Sequence, residues 1–156
     1  MAGTRTKALA LWGRSTLRWL AAKILRSRTP RWPLRFVCEQ RQTFWSVARN
    51  AGGDGTNVHS QWYVTNVSTR PIVLVYAWLG SYQAEFARVF TRDHDGAPFR
   101  EGLPIAASST ATVAATYTFA PAICADREIL VADVVFEDDR GRRHRIRSVR
   151  FPYMGS

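Results

Sequence analysis

Ile72-Val73-Leu74-Val75-Tyr76-Ala77-Trp78-Leu79 is a run of eight consecutive apolar residues, rich in β-branched and aromatic side chains. A short run of this kind that follows a turn, here residues 68–71, is typical of a buried strand. A strand without alternation is covered on both faces. The sequence therefore predicts that residues 72–79 form a central strand and that Trp78 lies in the core.

A second segment, residues 110–120, alternates in the character of its side chains, which predicts an antiparallel strand with one solvated side. A central strand beside half-solvated strands implies two sheets packed face to face, each burying one side. The side expected to be buried carries Val113, Ala115, Tyr117 and Phe119, and the solvated side carries Thr112, Ala114, Thr116 and Thr118.

From Leu34 onward, short segments with a period of two are separated by turn residues, and no helical period is present. Seven to eight strands are the number expected for a sandwich, so the fold class is predicted to be all-β. The predicted strands are 34–39, 43–49, 59–67, 72–79, 83–91, 110–120, 129–137 and 142–151.

The last two strands allow a prediction of register. A three-residue loop at Asp139-Arg140-Gly141, with Gly141 in the left-handed conformation, places Glu137 opposite Arg143. Ion pairs then lie on one face and apolar pairs on the other. Continued without interruption, this register creates an outward apolar patch at its far end, unless a bulge near Ser148 shifts it. The further predicted pairs are Asp133–Arg147, Val134–Ile146, Ala132–Ser148, Val131–Val149 and Ile129–Phe151.

Charge divides the chain of 156 residues into two parts. Residues 1–38 hold nine Arg or Lys and no acid, whereas residues 39–156 hold 13 basic and 12 acidic residues. We therefore expect a basic amphipathic helix with a Pro-containing linker over residues 1–33, followed by one β-sandwich domain over residues 34–156. The residues predicted to contact a membrane or a partner are Trp12, Arg14, Leu17, Arg18, Trp19, Leu20, Lys23 and Ile24.

Three interpretations of this helix remain open. An apolar face with two Trp beside a cationic face suits an interfacial helix on anionic lipid. The same apolar face would also pack onto the domain, with the terminal patch as its docking site. An acid-free, Arg-rich start also resembles an organellar targeting segment. Between Lys7 and Arg28 the longest uncharged run is Ala8 to Gly13, far short of the ~20 apolar residues that span a bilayer.

Sites for chemistry are sparse in the sequence. No spacing brings His59, His94 or His144 together locally, and the acidic loop around His94 is best interpreted as solvated. Cys38 and Cys124 match no metal or redox motif and are expected to be free thiols. No nucleophile has a basic partner in a recognisable motif. We therefore expect a protein that is not an enzyme, with no cofactor, no metal and no small-molecule substrate.

Two further motifs favour structural interpretations. Asn66-Val67-Ser68 matches the glycosylation acceptor pattern, but it is interpreted as a turn whose side chains bond the local backbone. The terminal hairpin carries an arginine cluster beside four acids, which favours a salt-bridged strand over phosphate binding. If the hairpin does bind nucleic acid, the predicted contacts are Arg142, Arg143, Arg145 and Arg147.

Residues 62–72, 131–136 and 141–144 resemble segments of uncharacterised bacterial immunoglobulin-like β-sandwich proteins, in which a short N-terminal membrane segment precedes one sandwich. The resemblance implies an immunoglobulin-like antiparallel sandwich and implies no activity. It fails at the front, where Lys7, Arg14, Arg18 and Lys23 interrupt the apolar run.

The resulting hypothesis is a non-enzymatic β-sandwich binding module, attached through its basic helix to an anionic membrane surface or a protein partner. It would be cytoplasmic and peripherally membrane-associated, with an organellar or exported location as alternatives. The second hypothesis is a soluble nucleic-acid-associated protein that uses the basic N-terminus and the arginine-rich hairpin.

Overall fold

A computed structural model describes residues 32–50, 53–124 and 128–155. Apart from one turn of 3₁₀ helix at Gln40–Gln42, every regular element in these residues is a strand. The predicted all-β class and the predicted number of strands are confirmed. The strands are β1 (Leu34–Cys38), β2 (Phe44–Asn50), β3 (Gly53–Asn66), β4 (Leu74–Leu79), β5 (Phe86–Arg92), β6 (Thr110–Phe119), β7 (Leu130–Asp138) and β8 (Arg143–Phe151).

The strands form two antiparallel sheets. The larger sheet has the order β1-β3-β6-β5, and the smaller sheet has the order β4-β7-β8. β1 and β2 both pair with β3, β2 with its first half and β1 with its second half. β3 is therefore longer than predicted and begins at Gly53 rather than His59. A Cβ at Gly55 would lie 2.5 Å from the carbonyl oxygen of Phe119, so this glycine permits the close approach of β3 and β6.

The two sheets pack through one continuous apolar core. Phe36 of the larger sheet stacks on Phe136 of the smaller one, with ring centroids 5.1 Å apart. Trp62 meets Phe136 edge to face at 5.9 Å. On one side, Trp45 of β2 joins the sheets, because its N–H donates to Pro152 O and its carbonyl accepts from Met154 N. A face-to-face sandwich results.

β6 shows the expected burial of one face and an unexpected burial on the other. Val113, Ala115, Tyr117 and Phe119 are buried, as predicted. Thr112 and Ala114, expected on the solvated side, are buried too. β6 lies between β3 and β5, so side chains of both neighbours cover its outer positions.

β4 is an edge strand that pairs with β7, so its prediction as a central strand is wrong. Leu74, Ala77 and Leu79 are buried, but Tyr76 and Trp78 are exposed on the outer face. Aromatic residues, instead of polar ones, occupy the outward positions of β4. The sequence therefore lacks the polar alternation that marks a strand with one exposed face. A bulge between Leu74 and Tyr76 further disguises the alternation.

The terminal hairpin follows the predicted register near its loop. Gly141 has φ 71°, and Asp138 N donates to Arg142 O across a three-residue loop. Glu137 pairs with Arg143, as predicted, and the predicted pair Val134–Ile146 is confirmed as well.

Beyond these pairs a bulge at Ser148, which has φ 53°, shifts the register by one residue. Val149 and Phe151 therefore point into the core, and the outward apolar patch that was expected to receive the N-terminal helix does not form. The predicted pairs Asp133–Arg147, Ala132–Ser148, Val131–Val149 and Ile129–Phe151 are wrong. The observed pairs are Ala132–Val149, Val131–Arg150 and Leu130–Phe151.

Asn66 and Ser68 form the structural turn that was predicted. Asn66 is buried, and its amide donates to the carbonyl oxygens of Arg70 at 2.7 Å and Ile105 at 3.0 Å. Its Oδ1 accepts from the backbone N–H of Ser68 at 3.0 Å. The side chain thus ties the end of β3 to two loops and is not available as a surface group.

Predictions for residues 1–31 lie outside the described residues. These predictions include the amphipathic helix and all eight of its proposed contact residues. In the part of the chain that the structure describes, no helix is long and apolar enough to cross a membrane.

Candidate functional site

The outer face of the smaller sheet brings an aromatic strand and an arginine strand to the two sides of β7. We call this surface the β4–β7–β8 face. β4 contributes aromatic rings, β7 contributes alternating aliphatic and acidic residues, and β8 contributes arginines. The face consists of Tyr76, Trp78, Val131, Asp133, Val135, Glu137, Arg143, Arg145, Arg147 and Arg150.

The aromatic rings are exposed although they stand on a regular strand. Tyr76 is 62% exposed and Trp78 is 36% exposed, and their ring centroids lie 6.2 Å apart. Backbone pairing with Glu137 and Val135 of β7 fixes both positions. The two rings adjoin each other, and a contiguous exposed apolar patch is more informative than a single exposed apolar side chain.

Ion pairs link the arginine strand to β7, and a cation–π contact links it to the aromatic strand. Arg143 Nε donates to Glu137 Oε2 at 3.2 Å, and its guanidinium lies 5.3 Å from the centroid of the Trp78 ring. Arg145 Nε donates to Asp133 Oδ2 at 2.7 Å. Each acid of the face is therefore already engaged by one arginine.

Asp133 also stabilises the bulge. Its Oδ1 accepts from Ser148 N at 2.8 Å. This backbone bond, together with Arg145, lowers the pKa of Asp133 below its ordinary value. Arg147 adds a further positive charge near this carboxylate. The bulge therefore places a carboxylate of lowered pKa beside two arginines, and it changes the direction of the end of β8, as bulges commonly do.

A shallow cleft of about 490 Å³ continues the face beyond the end of β4. Its floor is apolar where Val131 and Val135 lie, and Asp133 and Arg145 supply charge. Tyr82, which is 38% exposed, forms part of its wall and extends the aromatic side. The cleft gives a ligand that lies along the face a place to be partly enclosed.

Arg142, one of the four proposed nucleic-acid contacts, is turned away to a structural cluster. Its Nε donates to Asp138 Oδ2 at 2.8 Å. Asp138 is buried and also accepts from the backbone N–H groups of Arg140 and Arg142, each at 3.0 Å. Nε2 of the buried His144 lies 3.1 Å from the same carboxylate.

The cluster keeps Asp138 ionised. Burial alone would raise its pKa, but the bonds from His144, Arg142 and Arg140 outweigh burial and lower the pKa. The cluster therefore orders the hairpin loop and leaves three of the proposed arginines, Arg143, Arg145 and Arg147, on the β4–β7–β8 face.

The histidines and cysteines form no site for a metal or for redox chemistry in the described part of the chain. Among those residues, no three His, Cys, Asp or Glu side chains come close enough to hold an ion. Burial lowers the pKa of His59, and His94 contacts Asp93 on an exposed loop.

Cys38 and Cys124 are both free, as predicted. Cys38 pairs with Trp62, whereas the segment that carries Cys124 bonds to Thr56 through the N–H of Ile123. Six residues of strand separate these two points of β3, a span of about 20 Å. Burial raises the pKa of both thiols, which disfavours the reactive thiolate.

Sequence reasoning found the arginines of the site but missed its aromatic half. Tyr76 and Trp78 were assigned to the core because they belong to the apolar run 72–79. The available signal was the alternation within that run, in which the bulkiest rings occupy positions 76 and 78 and smaller residues occupy positions 77 and 79.

Comparison with known proteins gives little to add to this geometry. No protein-family model matches the chain, and no curated protein matches it in sequence. Among solved structures, the chain is similar to the copper-bound PCuAC domain from PmoF2, with 14% sequence identity and a TM-score of 0.43. That alignment covers 78% of this chain and 95% of the other.

Proposed function

We propose that the protein is a non-enzymatic binding module that recognises an anionic partner through the β4–β7–β8 face. One observation carries the proposal: a row of four arginines faces solvent beside two exposed aromatic rings. Arg, Tyr and Trp are the residues most enriched where proteins bind partners. We propose that the module acts by binding and not by catalysis.

The charge of the face favours an anionic partner. The face has four arginines and two acids, and Asp133 and Glu137 each form an ion pair with one arginine. Arg147 and Arg150 are exposed and make no ion-pair contact with any other described residue. The surplus positive charge therefore lies at the far half of β8, next to the cleft.

We further propose an immunoglobulin-like architecture for the module. Strands β1-β3-β6-β5 packed over β4-β7-β8 match the A-B-E-D and C-F-G arrangement of constant-type immunoglobulin domains. The chain departs from that type at the third strand, where such domains bury a tryptophan. Here the tryptophan of that strand, Trp78, is partly exposed on the proposed binding face.

Attachment through the basic N-terminal segment remains part of the proposal. Its eight basic residues within 1–33 carry the same sign of charge as the face. An anionic lipid surface or another polyanion would attract both, and each basic residue near such a surface contributes about 1 kcal/mol. A cytoplasmic, peripherally membrane-associated location is proposed on the same grounds.

The test measures binding of the full-length chain to three anionic probes in parallel. The probes are single-stranded oligothymidylate, polyglutamate, and vesicles of phosphatidylcholine with phosphatidylglycerol. The Arg147→Glu, Arg150→Glu double variant should weaken binding of at least one probe more than tenfold at low salt. The matched control is Arg35→Glu, Arg41→Glu, which makes the same charge change on exposed residues outside the face.

Equal binding of the wild type and both double variants to every probe would contradict the proposal. Equal weakening by the two double variants would also contradict it, because binding would then depend on net charge and not on the face.

A further inference from the structure

We propose that the partner of the β4–β7–β8 face is a single-stranded nucleic acid, with bases stacked on Tyr76 and Trp78 and phosphates on the arginines of β8. This inference rests on the proposed function, because it names the anionic partner of the same face. It adds the aromatic residues as base-stacking groups.

The aromatic side of the face has the features of a stacking platform. Tyr76 and Trp78 occupy successive outward positions of one strand, are exposed, and have their planes inclined by 40°. Backbone pairing with β7 holds them in place without a ligand. Every base has a flat face, so stacking on such rings tolerates any sequence.

The cationic side runs parallel to the platform. Outward residues of β8 repeat every two positions, which is about 7 Å, so Arg143, Arg145 and Arg147 form a regular row. Arg150 continues this row past the bulge at Ser148. The guanidinium of Arg143 lies 5.3 Å from the Trp78 ring and joins the two rows. A single-stranded nucleic acid that runs in the direction of β7 would thus meet aromatic rings on its β4 side and guanidinium groups on its β8 side.

The centre of the face disfavours a protein partner. The pairs Asp133–Arg145 and Glu137–Arg143 lie on and beside the middle strand. A protein that covered the sheet would have to desolvate both pairs, which is costly. A flexible single strand can place its phosphates over β8, while Glu137 and Asp133 keep their ion pairs with Arg143 and Arg145.

A duplex is also disfavoured. Base faces are stacked inside a duplex, so the exposed rings would find no partner there. The rings contribute only where bases are unstacked, which is the usual target of aromatic side chains in nucleic-acid recognition. Preference for single strands over duplex is therefore a direct consequence of the proposal.

The experiment measures fluorescence anisotropy of labelled oligothymidylate with the full-length chain. A length of about 20 nucleotides exceeds the roughly 4–16 nucleotides that single-strand-binding folds cover. Tyr76→Ala should weaken binding by about tenfold, whereas Tyr76→Phe, which keeps the ring, should bind like the wild type. The matched control is Phe86→Ala, because Phe86 is also 62% exposed but lies in the larger sheet. We expect this control to stay within about twofold of the wild type.

The salt dependence separates the two rows. Arg147→Ala combined with Arg150→Ala should reduce the slope of log affinity against log salt by about 1.4, since each phosphate contact of a single strand contributes about 0.7. Tyr76→Ala should lower the affinity and leave the slope unchanged. Circular dichroism of each variant confirms that the sheet is intact.

The results distinguish this inference from the proposed function. If Tyr76→Ala binds oligothymidylate like the wild type, or if duplex binds as tightly as single strands, the inference is wrong. If the nucleic-acid inference fails in this way but the Arg147→Glu, Arg150→Glu variant loses polyglutamate or vesicle binding, the proposed function stands and the partner is not a nucleic acid. If no probe responds to either change, both are wrong.

Discussion

Removing the carboxylate of Asp138 should destabilise the protein severely. This side chain is fully buried, yet it accepts bonds from two backbone N–H groups, the Arg142 guanidinium and, at 3.1 Å, contacts the imidazole of His144. Asp138→Ala would leave all these donors without their partner. The hairpin that carries the arginines of β8 would lose the group that orders its loop.

The magnitude follows from the burial of this cluster. Breaking a buried charge pair by deleting one partner costs about 3–5 kcal/mol. For a domain of this size each kcal/mol lowers Tm by roughly 3–4 °C, so Asp138→Ala should melt about 9–20 °C below the wild type. Asp138→Asn keeps one acceptor oxygen and should lie between the two.

Thermal and urea unfolding followed by far-UV circular dichroism measures the effect. Asp139→Ala is the matched control, because Asp139 is the next acid in the same loop and is exposed. It should change the free energy of unfolding by less than about 0.5 kcal/mol. A loss below about 1 kcal/mol for Asp138→Ala would refute the claim that this carboxylate holds the hairpin together.

Three further predictions concern stability. Trp62→Ala, which creates a cavity in the core, should lower the free energy of unfolding by about 3–5 kcal/mol, and Trp78→Ala should lower it by less than half as much. Urea unfolding of both variants checks this. The lowered pKa of Asp138 means that its ionised form stabilises the fold at neutral pH, and this contribution is lost as pH falls below about 4, through the folded-state pKa. Melting curves across pH should show Tm decreasing in that range, and Asp138→Asn should reduce this decrease. Ser148 has φ 53°, so Ser148→Val should cost about 1–2 kcal/mol in urea unfolding, while Ser148→Gly should be tolerated.

Local sequence rules predicted the parts of the fold that local chemistry determines. The loop at Gly141 requires a left-handed residue, and the pairing of Glu137 with Arg143 follows from counting outward from that loop. The turn at Asn66 was equally accessible, because Asn and Ser side chains commonly bond the backbone two residues away.

The parts that were mispredicted depend on tertiary context. An apolar run does not say whether its strand has one neighbour or two, so the edge position of β4 and the exposure of Trp78 could not be derived from hydrophobicity. A bulge near Ser148 was predictable only as the alternative to an outward apolar patch, and the structure confirms it. The bond that stabilises it comes from Asp133, 15 residues away, and a count of alternating residues does not show such a bond.

Only the arginine half of the candidate site was predictable, for the same reason. Positive charge is visible in the sequence, so Arg143, Arg145 and Arg147 were recognised as surface residues. Their alignment with Tyr76 and Trp78 depends on β4 and β8 flanking the same strand, which is a property of sheet order. The inward turn of Arg142 likewise depends on the buried position of its partner.

The most direct test of the central claim is a backbone amide chemical-shift map of the isotope-labelled full-length protein, titrated with the tightest-binding anionic probe. The proposed binding face predicts that the largest shifts fall on Tyr76–Trp78 of β4 and on Arg143–Arg150 of β8. It also predicts that β1 and β5 of the larger sheet stay unchanged. Shifts confined to residues 1–31, or centred on the larger sheet, would contradict the claim that the β4–β7–β8 face binds the partner.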